Sequence, residues 1–170
     1  MVFDAVKAAG YQGIMLTVDA LVSGYREANL RTKFTYPVPL DFFTRYQGGQ
    51  GEGQSVAQMY AASAQKIGPE DLKKIKERSG LPVLVKGILC AEDAQMAIDA
   101  GADGIVVSNH GGREIDGAPA TIDMLPENAK VVNHRVPIIF DSGVRRGSHV
   151  FKALALGADL VGIGRPYLYG

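Results

Sequence analysis

A titratable base and a fixed cation stand three residues apart at His110 and Arg113, inside the run Ile105-Val106-Val107-Ser108-Asn109-His110-Gly111-Gly112-Arg113. Imidazole exchanges a proton near neutral pH while a guanidinium stays charged, so the pair suits acid–base chemistry on a bound ligand. Gly111 and Gly112 let the backbone approach such a ligand closely. The apolar, β-branched start of the run reads as a buried strand, which places the polar residues at its C-terminal end. A surface His and Arg on an ordinary loop is the plainer alternative. Base, cation and glycines converging at one strand end favour a site.

Four further apolar runs end the same way. Ile14-Met15-Leu16 ends in Thr17-Val18-Asp19, and Val83-Leu84-Val85 ends in Lys86-Gly87. Pro137-Ile138-Ile139-Phe140 ends in Asp141-Ser142-Gly143-Val144-Arg145-Arg146-Gly147, and Leu160-Val161-Gly162-Ile163 ends in Gly164-Arg165-Pro166. One such charge is a common strand terminator; five on one face of a sheet predict a pocket. The last two ends pair glycine amides with Arg145 and Arg165, a combination that neutralises a phosphate. A phosphorylated cofactor fits better than a phosphorylated substrate, because the acid–base site is separate.

Between the strands the chain predicts helices. Met1 to Gly10 carries Val2, Phe3 and Val6 at helical spacing; Pro69 and Asp71 open a helix that buries Leu72 and Ile75; Glu92 to Ala100 repeats the pattern. Thr121 is expected to cap a helix that restarts at Pro126, and Ser148 to cap one that turns Val150, Phe151 and Leu154 inward. The alternation predicts an α/β chain with parallel strands. An eight-stranded (β/α) barrel typically needs about 250 residues. With 170 residues and five strands, the expected fold is a partial TIM barrel, the last five β/α units of eight, in one domain over 1–170. The long stretch after Asp19 holds Pro37, Pro39 and a glycine-rich run from Gln47 to Gly53, and residues 34–68 are expected to form a lid.

Lys plus Arg equals Asp plus Glu at 18 each, so no net field favours nucleic acid or an anionic membrane. No apolar run is long enough to span a bilayer and no signal peptide leads the chain, which predicts a soluble, cytoplasmic protein. Cys90 alone makes no internal disulfide and fits a reducing compartment. His110, His134 and His149 lack metal-ligand spacing, so no metal is expected.

Thr17-Val18-Asp19, Leu81-Pro82-Val83-Leu84-Val85-Lys86-Gly87, Ser108-Asn109-His110-Gly111-Gly112-Arg113 and Gly143-Val144-Arg145-Arg146-Gly147 together resemble the FMN-dependent α-hydroxy acid dehydrogenase/oxidase family. The resemblance covers nearly the whole chain. It implies an FMN cofactor and oxidation of a small L-2-hydroxy acid, L-lactate preferred, with O2 or another acceptor and a homotetramer. It also assigns roles. His110 is the base and Asp19 steadies its imidazolium form; Arg113 and Arg26 clamp the substrate carboxylate, and Tyr60 closes over it from the lid. Lys86 is the cation beside the flavin ring, Thr17 and Ser108 contact ring or ribityl, and Asp141, Gly143, Arg145, Gly164 and Arg165 contact ribityl and phosphate. The tyrosines that the family's first three strands contribute have no counterpart in this sequence. Two alternatives stay open: a catalytically incomplete remnant, and another FMN barrel such as a relative of type 2 isopentenyl diphosphate isomerase, against which His110 beside Arg113 argues.

Overall fold

The computed structural model describes residues 2–22, 24–35 and 67–169. In chain order the elements are α1 (Val2–Ala8), β1 (Ile14–Thr17), α2 (Glu27–Thr32), α3 (Pro69–Ser79), β2 (Val83–Ile88), α4 (Ala91–Asp99), β3 (Gly104–Val107), α5 (Thr121–Val132), β4 (Ile138–Phe140), α6 (Gly147–Ala155), β5 (Leu160–Val161) and α7 (Arg165–Tyr169). The strands form one parallel sheet in the order β1-β2-β3-β4-β5. Sequential parallel order with a helix in each crossover is what a (β/α) barrel wall looks like when part of the ring is present.

Parallel strands covered on a face by helices read as continuous apolar runs rather than alternating ones. The central strand β3 is buried at all four positions, with Ile105, Val106 and Val107 at 1% exposure or less. Val83 and Val85 of β2, Ile138 and Phe140 of β4, and Leu125 and Val132 of α5 complete the core around it. Register across the sheet sets Thr17 opposite Lys86 and Lys86 opposite Val106. A bulge at Gly87 then breaks the ladder between Lys86 and Ile88.

Two helix-to-strand junctions share a device. The carboxylate of Asp103, just before β3, accepts the Val83 N–H at 2.8 Å, and that of Asp159, just before β5, accepts the Ile138 N–H at 2.7 Å. Each Asp satisfies the first amide of the preceding strand, which sheet pairing alone leaves open. Lys76 pairs with Asp103 at 2.8 Å and ties α3 to the same junction.

The opening of α3 matches expectation: Asp71 accepts the Gly68 N–H at 3.0 Å, and Pro69 stands in the first turn. Four expectations are corrected. The hydroxyl of Thr121 does not cap α5; Ala120 is the N-cap, and Thr121 donates instead to the Asp141 carbonyl at 2.8 Å. The helix does not restart at Pro126, which lies inside α5 on its exposed side. Arg146 rather than Ser148 precedes α6. On that helix Ala153 is buried whereas Phe151 and Leu154 are 74% and 45% exposed. Apolar spacing marks faces that can be covered, not which of them this chain covers by itself. The final strand is also followed by the short helix α7, which carries Arg165 at its start. Most of the expected lid, Tyr60 included, lies outside the described residues.

Candidate active site at the strand ends

A cleft of about 990 Å³ opens at the C-terminal ends of β2, β3, β4 and β5. That volume is at the upper end of the range for cofactor sites, about 300–1,000 Å³. Lys86, His110, Arg113, Asp141, Gly143, Arg145, Gly164 and Arg165 all line it. Thr17 lies one strand away in register with Lys86, and Ser108 reaches the site through a bond to Lys86. The sheet thus gathers residues scattered from position 17 to position 165.

His110 is held by its ring and by its backbone. His110 Nδ1 lies 3.1 Å from Asp19 Oδ1, with the two side chains 28% and 10% exposed. An ionised carboxylate can only accept, so Nδ1 carries the hydrogen, and in the neutral ring the lone pair is left on Nε2. The imidazole is therefore set in the tautomer a general base requires. The backbone at His110 is left-handed (φ 57°), followed by Gly111 and Gly112 at 68° and 71°. The His110 N–H ends on Ser108 Oγ at 3.1 Å, and the same hydroxyl accepts from Lys86 Nζ at 3.1 Å.

Asp19 comes this close because of Gly87. A Cβ built there would lie 2.5 Å from Asp19 Cβ and 2.8 Å from Oδ1, and φ is 104°. The bulge in β2 is thus the space into which the Asp19 side chain fits, a placement bulges commonly serve beside active sites.

Lys86 is 16% exposed and stands 3.9 Å from Asp141 Oδ2. Arg145 and Arg165 are exposed at the far end of the cleft, and Arg165 Nη2 donates to the Gly111 carbonyl at 2.5 Å. Space beside Gly143 and Gly164 is open, since a Cβ on either would meet nothing within 4 Å. Three cations around an open, glycine-edged cavity match the donor set a phosphate ester needs. Isoleucine and leucine side chains at Ile163 and Leu168 line the same cleft and supply apolar contact. The residues present fit a flavin mononucleotide.

Arg26 is placed differently from the other expected contacts. Its Nη2 donates to Glu114 Oε1 at 3.0 Å, and Glu114, 3% exposed, also accepts the Gly24 N–H at 2.9 Å. Glu114 thereby locks the segment after β1 to the loop after β3. Sequence reasoning overlooked it, although an acidic residue directly after Arg113 was a visible signal. Gly87 and Ser142 were overlooked as individual residues too. Cys90, which precedes α4, does not line this cleft, and burial pushes its thiol above the usual value, which lowers its thiolate fraction. Among the described residues no group of three His, Cys, Asp or Glu is placed to hold a metal.

A parallel β/α wall thus carries a histidine–aspartate pair, a guanidinium and a cleft that fits a phosphate at its C-terminal edge. The chain belongs to the FMN-dependent dehydrogenase family, which matches residues 1–170. It is 85% identical over its full length to an L-lactate oxidase of Lactobacillus jensenii, covering 42% of that protein. It is 53% identical to the L-lactate oxidase of Streptococcus iniae, with 99% of this chain and 42% of that protein aligned. A crystal structure of a lactate oxidase described as putative, from Pediococcus acidilactici, superposes with a TM-score of 0.90 at 54% identity, covering 99% of this chain and 44% of the other. A mandelate oxidase structure gives a TM-score of 0.85 at 38% identity, over 98% of this chain and 46% of the other. The chain spans less than half the length of these relatives. Its five β/α units are a segment of a TIM barrel, and FMN is the cofactor of its family.

Proposed function

We propose that the barrel to which this segment belongs oxidises a small L-2-hydroxy acid, L-lactate preferred, to the 2-oxo acid, with O2 as the terminal acceptor. The observation that carries the reading is the His110–Asp19 pair in its base-competent tautomer, beside Arg113 in the same cleft as Lys86 and Arg165. Arg113 presents a planar fork to the substrate carboxylate, with Arg26 as its proposed second arm and Tyr60 as the proposed cover. His110 Nε2 accepts the hydroxyl proton, and Asp19 offsets the positive charge that then appears on the ring. FMN supplies, when bound, the two-electron acceptor that converts the alcohol to the ketone. Lys86 offers a half-buried positive charge to the ring system, with Thr17 and Ser108 beside it. Asp141 and Gly143 hold the ribityl chain, while Arg145, Gly164 and Arg165 hold the phosphate.

A cytoplasmic homotetramer is the proposed state of the complete protein. The lone cysteine and the lack of any membrane-length apolar helix among the described residues support the first part. The exposed apolar side chains of α6 and α7 support self-association.

The test replaces the matching part of the Lactobacillus jensenii enzyme, 85% identical to this chain, with residues 1–170. The completed barrel is expected to bind FMN and turn over L-lactate while consuming O2. Flavin binding with no turnover of any 2-hydroxy acid would overturn the proposal. A second reading, a segment without turnover of its own, is favoured by one observation: β1 and β5 are both unpaired sheet edges among the described residues. The two readings apply to different molecules, the completed barrel and the chain by itself.

A further inference from the structure

We propose that Ser142 is a positioning residue for His110, acting through a hydroxyl that fixes the His110 loop to the end of β4. The inference rests on the reading of His110 as the proton acceptor and adds a residue that the reading does not use.

The Ser142 hydroxyl is saturated. Its oxygen accepts the Gly111 N–H at 3.0 Å and the Asn109 N–H at 3.3 Å, and its proton goes to Asp141 Oδ1 at 2.8 Å. One hydroxyl offers two lone pairs and one donor, so every capacity it has is spent on this junction. The intervening His110 N–H goes to Ser108 Oγ. Three successive amides of the loop therefore end on two serine hydroxyls, one from the end of β3 itself and one from β4. Consecutive left-handed residues turn their amides into a concavity that usually receives an anion. Here the concavity is filled from within, which leaves the loop with one resting place and His110 with one orientation.

The backbone at Ser142 is itself unusual. Its φ is 78°, a left-handed value that a glycine adopts freely and a serine does not. Beneath it the buried Thr121 hydroxyl donates to the Asp141 carbonyl at 2.8 Å and approaches the Ser142 carbonyl at 3.4 Å. A side chain kept where glycine would sit more easily points to use of that side chain. Asp141 also stands 3.9 Å from Lys86, and Lys86 bonds Ser108, so the ring of contacts closes on the flavin side of the cleft.

Ser142→Gly and Ser142→Ala separate the hydroxyl from the backbone. Both delete the hydroxyl, but only glycine relieves the left-handed strain. In the completed barrel each variant is expected to lower kcat about tenfold, with KM and flavin content unchanged. Deuterium uptake at the amides of Asn109 and Gly111 is expected to rise in both, in the chain alone and in the completed barrel. Melting temperature is expected to diverge: Ser142→Gly no less stable than the parent, Ser142→Ala less stable than Ser142→Gly. Wild-type kcat in Ser142→Gly with an impaired Ser142→Ala would assign the effect to strain and overturn the inference. So would loss of stability in both with kcat intact. His110→Gln run beside them keeps the two levels apart: if it remains active, the proposed function fails first; if it is dead while both Ser142 variants are normal, only this inference fails.

Discussion

The centre of the sheet and its two edges are built to different standards. On β2, β3 and β4 the apolar residues are nearly all buried, and the loops that follow are cross-bonded through Ser108, Ser142, Asp141 and Lys86. At the edges Met15 of β1 is 49% exposed and Leu160 of β5 is 59% exposed. On the two helices that flank β5 in the chain the exposed apolar side chains accumulate: Phe151 of α6 at 74%, and Leu168 at 72% and Tyr167 at 82% of α7. The centre closes its own hydrogen bonds and fixes the chemistry; the edges carry apolar surface that only further strands or helices would cover. The C-terminal edge that gathers these side chains is thus specified locally, while closure of the sheet is not.

The largest expected effect follows from that contrast. The 170-residue chain alone should self-associate and show no turnover of L-lactate, because unpaired parallel edges and contiguous apolar patches drive association. Sedimentation and an oxygen electrode check this, and a monodisperse monomer with bound flavin would erase the distinction between centre and edges. Gly87→Ala attacks the centre. The added methyl meets Asp19 at 2.5 Å on a backbone with φ 104°, so Asp19 must leave His110. In the completed barrel kcat should fall roughly 10- to 100-fold with flavin still bound, as single-turnover kinetics would show.

Arg113→Lys and Arg165→Ala sharpen the centre into two ends. Arg113→Lys keeps the charge and loses the planar fork, so KM for L-lactate should rise about tenfold while the flavin stays. Arg165→Ala should release flavin on dilution and leave KM unchanged in the molecules that retain it. The reverse pattern would exchange the two sites. The smallest effect concerns the junctions beneath the sheet. Burial raises the Asp103 carboxyl, but the Lys76 ammonium and the Val83 N–H outweigh it and leave it below the ordinary value. A lowered folded value stabilises above the ordinary carboxylate range, and that stability disappears as pH falls through the lowered value. Asp103→Asn should therefore melt slightly earlier than the parent at neutral pH and converge with it in acid.

The sheet was legible in the sequence because buried parallel strands are short apolar runs, and β1, β3 and β4 end where their polar termini indicated; β2 instead runs on through Lys86 and the Gly87 bulge to Ile88, and β5 stops at Val161, short of Ile163. Asp19, Lys86, His110 and Arg113 were legible as candidates because each follows or closes an apolar run, and the structure brings Lys86, His110 and Arg113 to one cleft with Asp19 against His110. The helix starts were less so. Thr121 has the right chemistry for a cap, yet its hydroxyl is recruited by Asp141, 20 residues away. Phe151 and Leu154 have the spacing of a core face, but the surface that would cover them is not part of this sheet. Glu114 and Ser142 escaped notice for one reason: their bonds join loops distant in sequence, and no local pattern encodes a tertiary partner.

The central claim, that this segment carries the base of a flavin-dependent 2-hydroxy acid oxidation, is tested most directly by anaerobic mixing of the completed barrel with L-lactate while flavin absorbance is followed. The parent should bleach, and His110→Gln should keep its flavin and bleach about 10²- to 10⁴-fold more slowly. Bleaching of the variant at the parent's rate would remove His110 from the chemistry and contradict the account.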